Sequence, residues 1–184
     1  MSDLKPNITM EPVEFEALLA SAPAGLRIEL GIARGATLAI MAQHAGQTIG
    51  VDSFDGMADP GRHDIKNGHN PYPRGRLTWS YEELAARFAG TSNVRLIRGW
   101  VPDVLTELPD GPYAFVHIDL DHYEPTRAAI EWFWGRMLPG GIICCDDWIA
   151  DKDWLASKAI NEQAAVIPFS GTASKLRGKA WWVR

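Results

Sequence analysis

Leu26-Arg27-Ile28-Glu29-Leu30-Gly31-Ile32-Ala33-Arg34-Gly35-Ala36-Thr37 is an apolar, strand-like run that turns on two glycines and enters helix-favouring residues. Glycine lets the backbone turn tightly and come close to a ligand with no Cβ in the way. Outward from this strand–turn–helix unit, further β-favouring runs lie at 48–54, 94–97, 113–118, 141–145, 164–169 and 179–183. Helical patterns lie between them at 36–44, 81–89, 101–108, 125–138 and 154–163, with one more at 13–21. The alternation predicts a doubly wound α/β domain, with a mostly parallel seven-stranded sheet covered by helices on both faces. Residues 170–178 are too few for a helical crossover, so the last strand is expected antiparallel to the sixth, as an edge hairpin. Ser80 and Glu83 read as a capping box, Pro125 suits a first helical turn, and Pro139-Gly140-Gly141 should stop that helix.

With 184 residues and 46% hydrophobic content, the chain has the size of one domain, 1–184, opened by a helical segment at 1–24. No run approaches the roughly 20 apolar residues of a membrane span. Met1-Ser2-Asp3-Leu4-Lys5-Pro6 has no apolar signal segment, so a cytoplasmic protein without a membrane partner is expected. The adjacent Cys144 and Cys145 point to opposite faces of a strand, which suits a reducing compartment. A net charge of −5 without a basic run argues against nucleic acid as a partner.

The glycine turn is not the G-x-G-x-x-G that cradles a pyrophosphate. Glu29 instead suits a ligand carrying an amino group and no phosphate. Asp52, at the end of the second strand, stands near the roughly 20-residue offset at which an acid meets ribose hydroxyls, two of which its carboxylate would accept. Together these residues point to a nucleoside. Further along, Asp119 and Asp121 follow the fourth strand and Asp146 and Asp147 follow the fifth, so a parallel sheet brings all four to one edge. Helix capping accounts for one such aspartate better than for four. A hard divalent cation, Mg²⁺ first, would relieve their repulsion and leave positions for substrate hydroxyls. His122 is a candidate general base because imidazole titrates near neutrality.

Two loops complete the expected site. Residues 58–79 hold four basic and two acidic residues, three prolines and three glycines, a composition read as a lid that supplies Tyr72, Arg74, Arg76 and Trp79. Residues 170–178 should emerge at the acidic edge and add Thr172, Ser174 and Lys175, with Trp148 beside them. Aromatic faces and cations of this kind suit a polyhydroxylated or partly anionic acceptor.

Residues 29–37, Val51-Asp52-Ser53-Phe54-Asp55-Gly56-Met57, Gly99-Trp100, 117–126 and 138–147 together resemble class I methyltransferases, and most closely the macrocin O-methyltransferase family. The resemblance covers most of the chain from Leu26 to Asp147. It implies a Rossmann-like sheet with its last strand antiparallel and S-adenosylmethionine over the first two strand ends. The cofactor residues would then be Glu29, Gly31, Gly35, Thr37, Asp52, Ser53, Phe54, Gly99, Trp100 and Asp119, with Gly99 and Trp100 beside the adenine. It also implies Mg²⁺ at Asp119, Asp146 and Asp147, positions that look like the metal aspartates of catechol-type O-methyltransferases. The expected reaction is O-methylation of a small-molecule hydroxyl on a sugar, polyol or catechol-like compound, by a chain compatible with a homo-oligomer. The enzyme would align the attacking oxygen, with Asp119 in the reacting centre and His122 or Asp121 taking the proton. Two other readings are a non-catalytic S-adenosylmethionine sensor or partner subunit, and a Mg²⁺-dependent phosphatase suggested by Asp119-Leu120-Asp121.

Overall fold

The computed structural model describes residues 12–173 and 178–184. Among them, β1 (Leu26–Leu30), β2 (Thr48–Asp52), β3 (Val94–Arg98), β4 (Tyr113–Ile118), β5 (Met137–Trp148), β6 (Gly171–Ala173) and β7 (Gly178–Val183) form one sheet in the order β3-β2-β1-β4-β5-β7-β6. The first five are parallel to one another, and β7 is antiparallel to both β5 and β6. Every residue of β4 is buried, as befits a central strand covered on both faces. The helices are α1 (Pro12–Ser21), α2 (Ala36–Met41), α3 (Tyr81–Phe88), α4 (Tyr123–Trp134) and α5 (Leu155–Val166). None of them is long and apolar enough to cross a membrane. Phe15 and Leu19 of α1 pack with Phe115, Ile142 and Cys144 on one face, while Ile130 and Phe133 of α4 and Ile160 of α5 join the larger core on the other.

Several boundaries differ from the expected ones. The sixth strand, expected at 164–169, is instead the end of α5 and a short connection, and β6 begins at Gly171. Ala164 and Ala165 are strong helix formers that extend the preceding helix, and Pro168 then forces Ile167 into an extended conformation. The β6–β7 pair is the expected antiparallel hairpin at the sheet edge, with β7 on the inside between β5 and β6, where its apolar Ala180 and Trp182 gain more from burial than the three residues of β6.

The α4 helix starts at Tyr123 and ends at Trp134, four residues before Leu138, and Met137 already pairs with Tyr113. Pro139-Gly140-Gly141 therefore lies inside β5, where a register shift between Tyr113 and Phe115 absorbs it. The helix expected at 101–108 is a short 3-10 turn at Asp103–Glu107, confined between Pro102 and Pro109. Ser80 caps α3 by accepting a hydrogen bond from the Glu83 amide at 3.2 Å, but its hydroxyl donates to Glu82 rather than completing a box with Glu83.

Candidate active site

At the β1 tip, Gly31 adopts φ 80° and Gly35 φ 71°, both in the left-handed region that glycine enters freely. A side chain on Gly31 would collide with the Asp119 carbonyl, so glycine is what lets the ends of β1 and β4 close together. Asp52 braces this turn. Its carboxylate accepts from the amides of Ile32 at 3.0 Å, Ala33 at 3.1 Å and Phe54 at 2.9 Å. A carboxylate offers about four lone-pair sites, so one remains for a ligand rather than the two first expected.

Glu29 is buried beneath the turn. Its Oε1 lies 3.0 Å from His117 Nδ1, and its Oε2 is buried without a hydrogen-bond partner. Burial raises its pKa well above the ordinary carboxylate value; Lys179, and more weakly Thr37, oppose that shift. A buried, orphaned acceptor at the wall of a cavity matches a ligand that brings a cation.

That cavity measures about 500 Å³ and runs from Glu29, Gly31, Thr37 and Asp52 past Gly99 and Trp100 to Asp119, Asp121, Asp146 and Asp147. Ser53 reaches its wall but spends its hydroxyl on the Gly56 carbonyl at 2.8 Å. Phe54 does not face it. At φ 60° the Phe54 backbone leaves β2, and the ring packs at 5.0 Å against Tyr81, within the cluster of Ile32, Leu38, Leu84 and Phe88.

The acidic edge gathers three carboxylates. One oxygen each from Asp119, Asp121 and Asp147 lie within 4.8 Å of one another. Oxygens bound to Mg²⁺ or Ca²⁺ at about 2.0–2.6 Å stand at most about 4–5 Å apart, so this all-oxygen set fits a hard divalent cation. Asp121 and Asp147 hold φ of 57° and 58°, left-handed values that Asp tolerates and that aim both side chains inward. Burial, then repulsion among these acids, raises the pKa of both Asp119 and Asp121 well above the usual value. Asp146, expected in the donor set, also lines the cavity and is the charge that most raises Asp119, but its oxygens are engaged: Oδ2 is 3.1 Å from Lys179 Nζ and Oδ1 accepts the Asp147 amide at 3.0 Å. Sequence reasoning missed this lysine, since nothing in Gly178-Lys179-Ala180 signals a buried cation.

His122 is buried, and its Nε2 is 3.0 Å from the Tyr72 carbonyl. A carbonyl only accepts, so that nitrogen carries the proton and is not available to receive one from a substrate. The other nitrogen stands 4.0 Å from Asp64. His122 lines the cavity and also fastens the loop at 58–79, so only Nδ1 has a lone pair to take a proton.

Asp64, which the sequence reading passed over, makes the main tie. Its carboxylate accepts from the Tyr123 amide, the first residue of α4, and from Gly61, both at 2.8 Å. The His63 carbonyl accepts from Leu155 at the start of α5 at 2.8 Å, and Lys66 pairs with Asp153. So anchored, the loop brings Tyr72, Arg76 and Trp79 to the cavity, with Tyr72 hydrogen-bonded to the Asp121 carboxyl and Arg34 4.3 Å over the Trp79 ring. Arg74 instead pairs with Asp59 in solvent, where a side chain this exposed contributes little. Trp148 donates to Asn161 at 2.9 Å and packs on Phe169, away from the cavity. Thr172 is exposed on the edge strand, while Ser174 and Lys175 lie outside the described residues.

Residues 28–148 match the family described as a methyltransferase domain. The chain is 31% identical over 154 residues to the 8-demethyl-8-(2,3-dimethoxy-alpha-L-rhamnosyl)-tetracenomycin-C 4'-O-methyltransferase of Streptomyces olivaceus, a match covering 74% of this chain and 58% of that protein. Among solved structures it shares its fold with the O-methyltransferase NovP, at a TM-score of 0.75 and 22% identity, covering 94% of this chain and 78% of that one. The O-methyltransferase from Bacillus cereus, solved in complex with SAH, superposes at a TM-score of 0.64 with 15% identity, covering 97% and 84%.

Proposed function

The chain belongs to the methyltransferase-domain family, and on that premise we propose that it moves a methyl group from S-adenosylmethionine to a hydroxyl oxygen of a sugar-like small molecule, with a divalent cation assisting. The observation that carries this reading is the single cavity joining the Glu29–Asp52 end to the Asp119–Asp121–Asp147 cluster. The sugar follows from the relative whose name places its reaction on a rhamnosyl group.

S-adenosylmethionine supplies an already activated methyl, so the protein has chiefly to align an oxygen and exclude water. Glu29 Oε2 would accept from the ligand's ammonium group, the remaining Asp52 lone pair would take one ribose hydroxyl, and Trp100 would serve the base. Asp119, Asp121 and Asp147 would hold Mg²⁺, which as a Lewis acid would orient neighbouring hydroxyls and lower their pKa. An ion held there would need only one oxygen from Asp121. Its other oxygen would then take the proton, and hydrogen bonds with Tyr72 and Asp147 keep that carboxyl in place. Tyr72 and Trp79 close the cavity against water.

Incubation with S-adenosylmethionine, Mg²⁺ and a panel of glycosides, polyols and catechols tests the assignment. A product one methylene heavier, made from a glycoside and suppressed by chelation, is expected. Binding of S-adenosylhomocysteine with no methylation of any acceptor would favour a sensor instead.

A further inference from the structure

Lys179 is among the largest fully buried side chains, yet none of the steps above uses it. A buried ammonium is retained only where its charge and all its protons are satisfied. Here Nζ lies 3.1 Å from Asp146 Oδ2 and 3.0 Å from His117 Nε2, and faces the Phe15 ring at 5.6 Å. These contacts have a direction. An ammonium has no lone pair to offer, so His117 Nε2 must be the acceptor, and the neutral imidazole then carries its proton on Nδ1. That Nδ1–H points at Glu29 Oε1, 3.0 Å away. The hydrogen bonds therefore run in one sense, from Lys179 on β7 through His117 on β4 to Glu29 on β1, across the middle of the sheet. They end on the carboxylate whose second oxygen is buried, unpartnered and at the cavity wall.

The charges point the same way. With Glu29 ionised, Glu29 and Asp146 would bring two negative charges to this buried group against one positive charge on Lys179, an imbalance that burial resists by raising the Glu29 pKa. A ligand ammonium at Glu29 Oε2 would complete the balance.

We propose that Lys179 is the positioning residue for the amino-acid end of the cofactor: by donating to His117 it fixes the Nδ1–H tautomer, and that tautomer holds Glu29 as the acceptor of the ligand's ammonium group. The proposal rests on the cavity taking S-adenosylmethionine. The same ammonium engages Asp146 Oδ2 at 3.1 Å.

Two measurements test it. In ¹⁵N-histidine-labelled wild-type protein, long-range ¹H–¹⁵N correlation spectra should show His117 as the neutral Nδ1–H tautomer; an Nε2–H tautomer or an imidazolium would overturn the proposal, whatever ligand the cavity takes. Calorimetry then compares S-adenosylhomocysteine with 5'-methylthioadenosine, which has the nucleoside and no ammonium group. Lys179→Met should weaken S-adenosylhomocysteine by about tenfold or more, the worth of a charge-assisted hydrogen bond, and leave methylthioadenosine unchanged. Glu29→Gln should give the same selective loss, and the double variant little beyond either single one. Equal losses for both ligands, or none for either, would show Lys179 to be purely structural. Wild-type protein that binds neither nucleoside would count against the cofactor reading, while the tautomer spectrum still decides the direction of the chain.

Discussion

That Glu29, Asp52 and the aspartates of the acidic edge meet at one cavity was legible because each ends a strand, and a parallel sheet delivers strand ends to one place. What each one does there was less legible, because it depends on partners remote in sequence. Asp146 and Asp147 are neighbours, yet one answers to Lys179 and the other faces Asp119 and Asp121. His122 has the residue type of a base, but the Tyr72 carbonyl fixes its proton on Nε2 and leaves only Nδ1, 4.0 Å from Asp64, to accept another. His122→Gln, which can still donate to that carbonyl, should therefore keep most of the turnover, whereas Asp121→Asn should lower kcat by about a hundredfold or more. Initial-rate measurements on both variants check the reversal of roles. Asp119→Asn and Asp147→Asn should each abolish the stimulation by Mg²⁺ while leaving S-adenosylhomocysteine affinity close to wild type in calorimetry.

The raised pKa of Asp121 makes a further prediction at the same scale, for cation-free protein. A carboxyl whose folded pKa lies above its unfolded value contributes stability that is complete below the unfolded pKa and is lost as pH rises through the folded one. Asp121→Asn should thus match wild type in acid and become the more stable of the two as pH rises above the ordinary carboxylate range. Mg²⁺ should shrink that difference by stabilising only wild type. Melting temperatures across pH, with and without the cation, give the comparison; a gap that is constant with pH would count against buried repulsion.

At the scale of elements, the loop at 58–79 is fastened at the starts of two helices. The α4 helix has no side-chain cap of its own at His122, and Asp64 supplies one from the loop. Losing a cap costs about 0.5–2 kcal/mol, so Asp64→Ala should lower stability by that order and free the loop for proteolysis between Ala58 and Trp79. Limited digestion followed by mass analysis would show whether cleavage there accelerates. A long loop beside the site was legible from length and composition, whereas its fastening was not, since Asp64 and Tyr123 are joined only by the tertiary fold. The misplaced sixth strand has a different cause. Ala164, Ala165 and Val166 suit a buried strand or the last turn of a helix alike, and the preceding helix decides between them.

On the scale of the whole molecule, the alternation of strands and helices was enough to give the parallel five-strand half, because each βαβ unit buries a continuous apolar strand. The insertion of β7 between β5 and β6 was not readable from connection lengths. It nonetheless matters to the site, since only a strand in that place can carry Lys179 beneath Asp146 and against His117. The sheet thus ties the two ends of the cavity through its interior as well as along its rim. A crystal soaked with S-adenosylhomocysteine and Mn²⁺, whose anomalous scattering locates the ion, tests this arrangement most directly. The account predicts an ion peak bounded by Asp119, Asp121 and Asp147, with Asp146 still on Lys179 and the nucleoside's amino end at Glu29. An ion on Asp146 with Lys179 displaced, or a cavity without the nucleoside, would contradict it.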